Sequence, residues 1–183
     1  MQAWCDLETG GGGWLVIQRR VQNGRVNFTR SWEDYKNGFG DLEGEFWYGL
    51  EFIHQLTSKD EVELRIDMET NLGTAVTWTY QTFKVAEFGD KYRLTIGGGK
   101  GPGPDNMVYH NGTQFSTYDQ DNDQITWSNT AYRFQAGWWF KANNVRANLN
   151  GPHTPPSLPG VFGAKIMWYP YYLHSIQMMI RQK

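Results

Sequence analysis

FSTYDQDNDQITWSNTAYRFQAGWW, residues 115–139, is the stretch around which the rest of the chain is organised. Three aspartates alternate in it, Asp119, Asp121 and Asp123, and it closes on the pair Trp138 and Trp139. Carboxylates crowded at that spacing repel one another unless a hard cation sits among them or water solvates each one. The local chemistry therefore asks for calcium or for a solvated acidic turn. An EF-hand does not fit, because counting from Asp119 puts Gln124 where that loop needs glycine and Thr130 where it needs a bidentate glutamate. A shorter loop using two carboxylates, backbone carbonyls and water stays open beside the solvated turn.

The surrounding composition describes the fold into which such a loop is set. A chain of 183 residues fits one domain and can bury roughly 70% of its unfolded surface. Nine Trp, ten Tyr and ten Phe beside 21 Gly imply short elements and many loops, pinned by large rings rather than by long helices. A net charge of -2 argues against nucleic acid, which asks for a basic field. No apolar run is long enough to span a membrane.

Working outward, WLVIQRRV at residues 14–21 has strand composition, and Asn23-Gly24 predicts a hairpin returning through Val26 to Phe28. SWEDYKNGFG predicts a short helix capped by Ser31, with Asp34 three residues on and Gly38 as its stop. In residues 45–57, Phe46, Leu50, Ile53 and Leu56 fall at helical spacing. Residues 61–69 switch to period two, with Val62, Leu64, Ile66 and Met68 alternating with charged residues, which predicts a half-buried antiparallel strand. Residues 75–80 and 83–85 are expected to continue the sheet, 92–96 to add a strand, and 97–106 to form a surface loop. A last strand is expected at 175–181, with Ile176, Met178 and Ile180 on one face.

Catalytic chemistry finds little support, and the expectation is that the chain is not an enzyme. His54, His110, His153 and His174 are scattered, and neither HExxH nor GxSxG occurs. Cys5 is the single cysteine; it is either a free thiol or one half of a disulfide whose partner lies upstream. Two sequons, at Asn27 and Asn111, mark glycosylation candidates compatible with secretion.

Several separated blocks, CDLETGGGGWLVIQRR, VNFTRSWEDYKNGFG, EGEFWYGLEFIHQLT, FSTYDQDND, and GWW followed by NLNG and a terminal MMIR, resemble in order and spacing the fibrinogen C-terminal (fibrinogen-like) domain. The resemblance runs from Cys5 to Arg181 and implies an α+β fold, a central twisted antiparallel sheet with short helices and a loop-rich C-terminal part. It implies a single domain over 1–183, with an incomplete N-terminal subdomain, sheet over about 14–100, a calcium and ligand region over about 101–174 and the strand at 175–181. It also implies a secreted recognition module whose parent protein oligomerises through regions outside this chain.

Carried over residue by residue, the family's calcium (Ca2+) site falls on the side chains of Asp121 and Asp123 and the carbonyls of Ile125 and Trp127, with Asp119 in support. The family's disulfide beside this site is missing, since Thr130 and the Asn143–Asn144 region stand where its cysteines belong. Losing such a clasp costs on the order of 2–5 kcal/mol. The acetyl-group pocket of lectin-like members maps to Phe134, Val145, Phe162 and Gly163, and fibrinogen's knob pocket to Arg133 and Phe134. Neither set offers the hydroxyls, histidine, acids or amides that polar specificity needs. What stands there is apolar or aromatic, so the expected ligand is an extracellular protein or receptor bound through Tyr132, Phe134, Val145, Phe162 and Tyr171. The alternatives are a lectin for acetylated sugars and a structural matrix domain.

Overall fold

The structure, a computed structural model, describes residues 2–142, 144–153 and 164–183. Its elements run β1 (Cys5–Asp6), β2 (Trp14–Arg20), α1 (Trp32–Asn37), β3 (Phe39–Gly40), β4 (Phe46–Trp47), α2 (Leu50–Ser58), β5 (Val62–Thr70), β6 (Ala75–Tyr80), β7 (Thr82–Val85), β8 (Leu94–Gly97), α3 (Thr130–Phe134), β9 (Ala147–Asn148), β10 (Met167–Trp168) and β11 (Tyr171–Gln182). Strands dominate and helices are few and short, which is the α+β fold expected.

The alternation in β5 directs Val62, Leu64, Ile66 and Met68 into the core and leaves Glu63, Arg65 and Asp67 on the opposite face. β11 lies between β5 and β2 and pairs antiparallel with both. Its Ile176, Met178 and Ile180 sit opposite Met68, Ile66 and Leu64, so the two strands share one apolar face. β6 extends the sheet beyond β5, β4 and β3 extend it beyond β2, and β10 and β9 attach to the start of β11.

Four expectations are corrected by this architecture. No strand returns after Asn23, because the Val26 N–H donates to the Glu45 carboxylate (3.0 Å) rather than to β2. The helix of residues 45–57 begins only at Leu50: Phe46 and Trp47 pair with Arg19 and Gln18, and Gly49 at φ 104° turns the chain where a side chain would be strained. Leu56 is consequently exposed, and the buried stripe of α2 is Leu50, Ile53 and Thr57. Residues 82–85 leave the main sheet and pair with β8 in a separate two-stranded ribbon, and Tyr92 precedes that ribbon in a left-handed conformation. The last strand begins at Tyr171, four residues ahead of its expected start.

α1 follows its sequence signals closely. The Ser31 hydroxyl accepts from the Asp34 N–H (3.2 Å), the Asp34 carboxylate accepts in return from the Ser31 N–H (3.3 Å), and Gly38 ends the helix. Trp32 and Tyr35 are thereby turned into the core, where the Tyr35 ring meets Trp47 and Phe115.

A buried ion pair fastens β2 to the chain before β4. Arg20 and Glu45 are both 2% exposed, with Nε to Oε1 at 2.9 Å. Arg20 also donates to the Gly151 carbonyl (2.8 Å) and lies over the Phe28 ring, while Glu45 accepts from Val26 N–H and from His153. Burial alone would raise the Glu45 carboxyl, but the hydrogen bond from His153 and the Arg20 guanidinium carry it below its ordinary value. Removing one partner of such a pair strands the other charge. Glu45→Ala is therefore expected to lower unfolding free energy by about 3–5 kcal/mol in urea titration; a loss below about 1 kcal/mol would contradict this role.

Candidate functional site: the acidic loop and its aromatic rim

The stretch 115–139 is a loop closed at its base and built inward from there. Ser116 and Trp138 exchange backbone hydrogen bonds of 3.0 and 3.1 Å, joining its two ends. Trp138 and Trp139 are wholly buried, with Trp139 edge-on to Phe115 (centroids 5.1 Å) and its indole N–H donating to the Tyr92 carbonyl (2.8 Å). The tryptophan pair thus anchors the loop in the core.

Inside the loop, side-chain amides and carboxylates take the place of regular structure. Asn122 donates to the Phe115 carbonyl (2.6 Å), and its own N–H meets the Ser116 hydroxyl (3.0 Å). Asn129 caps α3 by accepting from the Tyr132 N–H (2.7 Å) while donating to the carbonyls of Thr117 and Tyr118. Asp123 accepts from the N–H groups of Ile125 (2.6 Å) and Thr130 (2.9 Å), one on each oxygen. Sequence reasoning missed Asn122 and Asn129. The capping pattern of Asn129 ahead of TAYRF was the signal that could have found the second.

The three aspartates divide. Asp119 accepts from the Trp32 N–H (2.9 Å) and the Thr117 hydroxyl (2.7 Å), tying the loop to the start of α1. Asp121 and Asp123 remain together, with the Asp123 N–H donating to Asp121 Oδ1 (3.1 Å). Partial withdrawal from water, and then the neighbouring Asp123 charge, push the Asp121 carboxyl above its ordinary value. The carbonyls of Ile125 and Trp127 accept no hydrogen bond from the described residues. Two carboxylates and two carbonyls without a described donor, all within residues 121–127, are the oxygen types a hard cation takes. Among the described residues no group of three or more His, Cys, Asp or Glu could hold a metal, so any cation here would rely on carbonyls and water.

The aromatic residues expected at the partner surface also divide. Phe134 and Val145 are buried, with the Phe134 ring against Phe140 (5.9 Å). Tyr132 on α3 is 47% exposed, and Tyr171 at the start of β11 is 43% exposed beside Trp168. Phe162 and Gly163 lie outside the described residues. The same loop exposes Trp127 at 77% and Tyr118 at 45%. Thr130 is fully buried, and its hydroxyl finds no partner among the described residues. Asn27 and Asn111 are exposed, the latter accepting from the Ile96 N–H (2.9 Å), and Cys5 is an exposed free thiol in β1.

His110 supports the loop from behind. It is wholly buried, its Nδ1–H donates to the Trp139 carbonyl (2.8 Å), and its Nε2 accepts from the Ala147 N–H (3.1 Å). That pattern requires the neutral ring, and burial pulls its pKa down to about 4.

The chain is a strand-rich α+β scaffold that carries an acidic loop bearing exposed rings. Comparison with known proteins gives the class its family. Residues 1–183 match the family described as fibrinogen beta and gamma chains, C-terminal globular domain, and the chain belongs to it. It is 46% identical over 153 residues to tenascin-R of Gallus gallus, covering 84% of this chain and 11% of that one. It is 40% identical over 186 residues to angiopoietin-related protein 1 of Mus musculus, covering 99% of this chain and 38% of that one. The chain thus spans only a minor part of these curated relatives, which are extracellular-matrix or secreted proteins. Among solved structures it superposes on the fibrinogen-like globe domain of human ANGPTL2 with TM-score 0.90 at 38% identity, covering 100% of this chain and 86% of that one. Lamprey fibrin D-dimer, complexed with the peptide Gly-His-Arg-Pro-amide, gives TM-score 0.85 at 32% identity, covering 97% of this chain and 63% of that one.

The state of His110 has a consequence for acid stability. Its folded pKa lies below the unfolded value of 6.5, so its contribution is complete above that pH and is lost as pH falls toward about 4. The loss amounts to about 3 kcal/mol over that window. Stability measured by urea titration at a series of pH values is expected to fall less steeply between 6.5 and 4 in His110→Gln than in the unmutated protein; equal slopes would refute the neutral buried state.

Proposed function

We propose that this is a secreted, non-enzymatic recognition domain, supported by calcium, that engages an extracellular protein partner through the aromatic rim of its acidic loop. The observation that carries the reading is Trp127. In a chain that buries most of its indoles, this one is 77% exposed, in the same loop as Tyr118 and five residues before Tyr132 of α3, both also exposed. Exposed aromatic rings clustered on a braced loop are what a hot spot requires, and they do not serve the core. Phe134 and Val145 act beneath that surface as packing, and Tyr171 stands on the β10–β11 hairpin.

Calcium would be held by Asp121 and Asp123 with the carbonyls of Ile125 and Trp127. When bound it would neutralise the two carboxylates and link residues 121–127, which bear Trp127. The pairing of Asp121 with Asp123 in one turn and the uncommitted carbonyls support this assignment. Without the disulfide of other members, more of the loop's order rests on the cation and on Asn122 and Asn129.

Calcium at about one hundred times its dissociation constant is expected to raise the melting temperature by roughly 5–10 °C. Asp121→Asn keeps the shape of the side chain and should abolish that rise in scanning calorimetry. A melt indifferent to calcium in the unmutated protein would sink the site.

The recognition surface is tested separately, by flow cytometry of the labelled protein on cultured cells before and after protease treatment of the cell surface. Trp127→Ala is expected to weaken protease-sensitive binding roughly 30-fold, the effect of losing a hot-spot residue of about 2 kcal/mol, while leaving the melting temperature unchanged. A lowered melting temperature with unchanged binding would favour a structural matrix domain. Tight binding of N-acetylated sugars in calorimetry would favour a lectin.

A further inference from the structure

The outer side of β6 carries an unused row of backbone groups. Among the described residues, β6 pairs with β5 on one side only, and its other side is met at a single point, where Thr79 and Lys100 exchange N–H···O bonds of 2.9 and 2.8 Å. Outward-facing groups recur at every second residue of an antiparallel strand. The N–H and C=O of Thr77 and Ala75 therefore face the same way as those of Thr79, and no described backbone group meets them. After Lys100 the chain reads GPGP, and Pro102 and Pro104 have no N–H with which to continue the pairing. Instead they line a cleft of about 320 Å³ together with Ala75, Val76, Trp168 and Tyr171.

We propose that this edge and cleft form a docking site for an extended peptide segment of a protein partner, one that alternates basic and apolar residues and adds to β6 as a short antiparallel strand. Lys100 already pairs antiparallel with Thr79, and the peptide continues that line past Thr77 and Ala75. Its backbone satisfies the four open groups of those two residues, as in strand addition to other sheet edges. The residue opposite Val76 points to the Val76 face, into a cleft walled by two prolines, an indole and a phenol ring, which selects an apolar side chain.

Residues opposite Ala75 and Thr77 point to the other face, where Glu69 and Asp67 are the cross-strand neighbours of Ala75 and Thr77. Asp67 is already paired with Arg65, whereas the Glu69 carboxylate has a 3.3 Å contact with the Ser175 hydroxyl. A new strand would lie about 9.5 Å from β5, two strand spacings away. Across the small Ala75 side chain a lysine or arginine spans that gap to Glu69, and an acidic residue would meet a like charge. Charge thus fixes the alternation as basic and apolar, and the site is separate from the acidic loop.

The test uses the labelled hexapeptide Lys-Val-Lys-Val-Lys-Val in fluorescence anisotropy with the full chain. Antiparallel pairing routes the hydrogen bonds through the lysine residues. N-methylation at the lysines is therefore expected to weaken binding at least tenfold, and N-methylation at the valines to leave it within twofold. The block peptide Lys-Lys-Lys-Val-Val-Val should bind at least tenfold more weakly. Ala75→Pro removes the outward N–H without touching a bond of the β5–β6 ladder and should match the N-methyl-lysine loss; should that variant fail to fold, the peptide comparison decides alone. Binding should survive Asp121→Asn, which separates this site from the calcium reading. Equal binding of the two N-methylated forms, no difference from the block peptide, or no binding at millimolar peptide would overturn the proposal. Self-association in sedimentation that Ala75→Pro abolishes would assign the edge to a second copy and overturn it as well.

Discussion

Everything in this domain depends on one strand being central although it is last in the chain. β11 lies between β2 and β5, so neither N-terminal strand has a complete ladder until the C-terminus arrives. Its core-facing side chains, Ile176, Met178 and Ile180, complete the apolar face that β5 presents. The register slips once against β2, between Met178 and Met179, and beside that irregularity Met179 is turned into a second small cluster with Trp14, Val16 and Phe46. The intervening chain, more than half of the molecule, is therefore a closed excursion between two fixed ends. Long-range closure of this kind has a high entropic cost. Rings buried at many separate points along the excursion are the compensation visible here.

That arrangement explains which parts of the fold were legible in the sequence. β5 and α1 carry their signals locally, as strict alternation and as a capping box, and both form where those signals lie. The terminal apolar face of β11 was likewise readable, because period two needs no knowledge of partners. The helix over residues 45–57 was overestimated for the opposite reason. Phe46 has the spacing of a helical stripe, but its partners are Arg19 and Gly40, and a window of local sequence does not contain them. The predicted hairpin at Asn23-Gly24 failed on a tertiary contact too, since the Glu45 carboxylate captures the Val26 N–H. Periodicity reports which face is apolar, and only the assembled sheet decides what that face meets.

In the acidic loop the residue types were legible in the sequence, and their arrangement was not. Alternating aspartates drew attention to a cation, and the structure keeps Asp121 and Asp123 adjacent while assigning Asp119 to the start of α1. That division could not be read from residue types, because all three positions offer the same carboxylate. The distinguishing partner, the Trp32 N–H, is 87 residues away from Asp119. The same holds for the rings near the loop. Phe134 and Tyr132 are two residues apart on one short helix, so their side chains leave in different directions, one toward Phe140 and the core and the other toward solvent. Aromatic composition alone does not separate an anchor from a core residue.

Burial divides the rings residue by residue. Phe28, Trp32, Tyr35, Trp47, Phe83, Tyr92, Phe115, Trp138 and Trp139 are packed together, whereas Trp4, Phe88, Tyr118, Trp127, Tyr132, Tyr169, Tyr171 and Tyr172 are exposed, six of these eight after residue 115. Two of the exposed tyrosines lie under cations, Arg146 over Tyr169 at 5.1 Å and Lys165 over Tyr172 at 4.7 Å, so even these rings are held in place. A loop that only needed to be soluble would have no reason to carry indoles and phenols at this density. Side chains of that kind have few rotatable bonds and a large contact area, which suits recognition by a surface that is already ordered. The buried rings supply the order: the tryptophan pair fixes the base of the acidic loop, and Trp168 fixes the hairpin bearing Tyr171. The same residue type therefore acts as the clamp that makes loops rigid and, in the recognition role proposed above, as the contact those rigid loops would present.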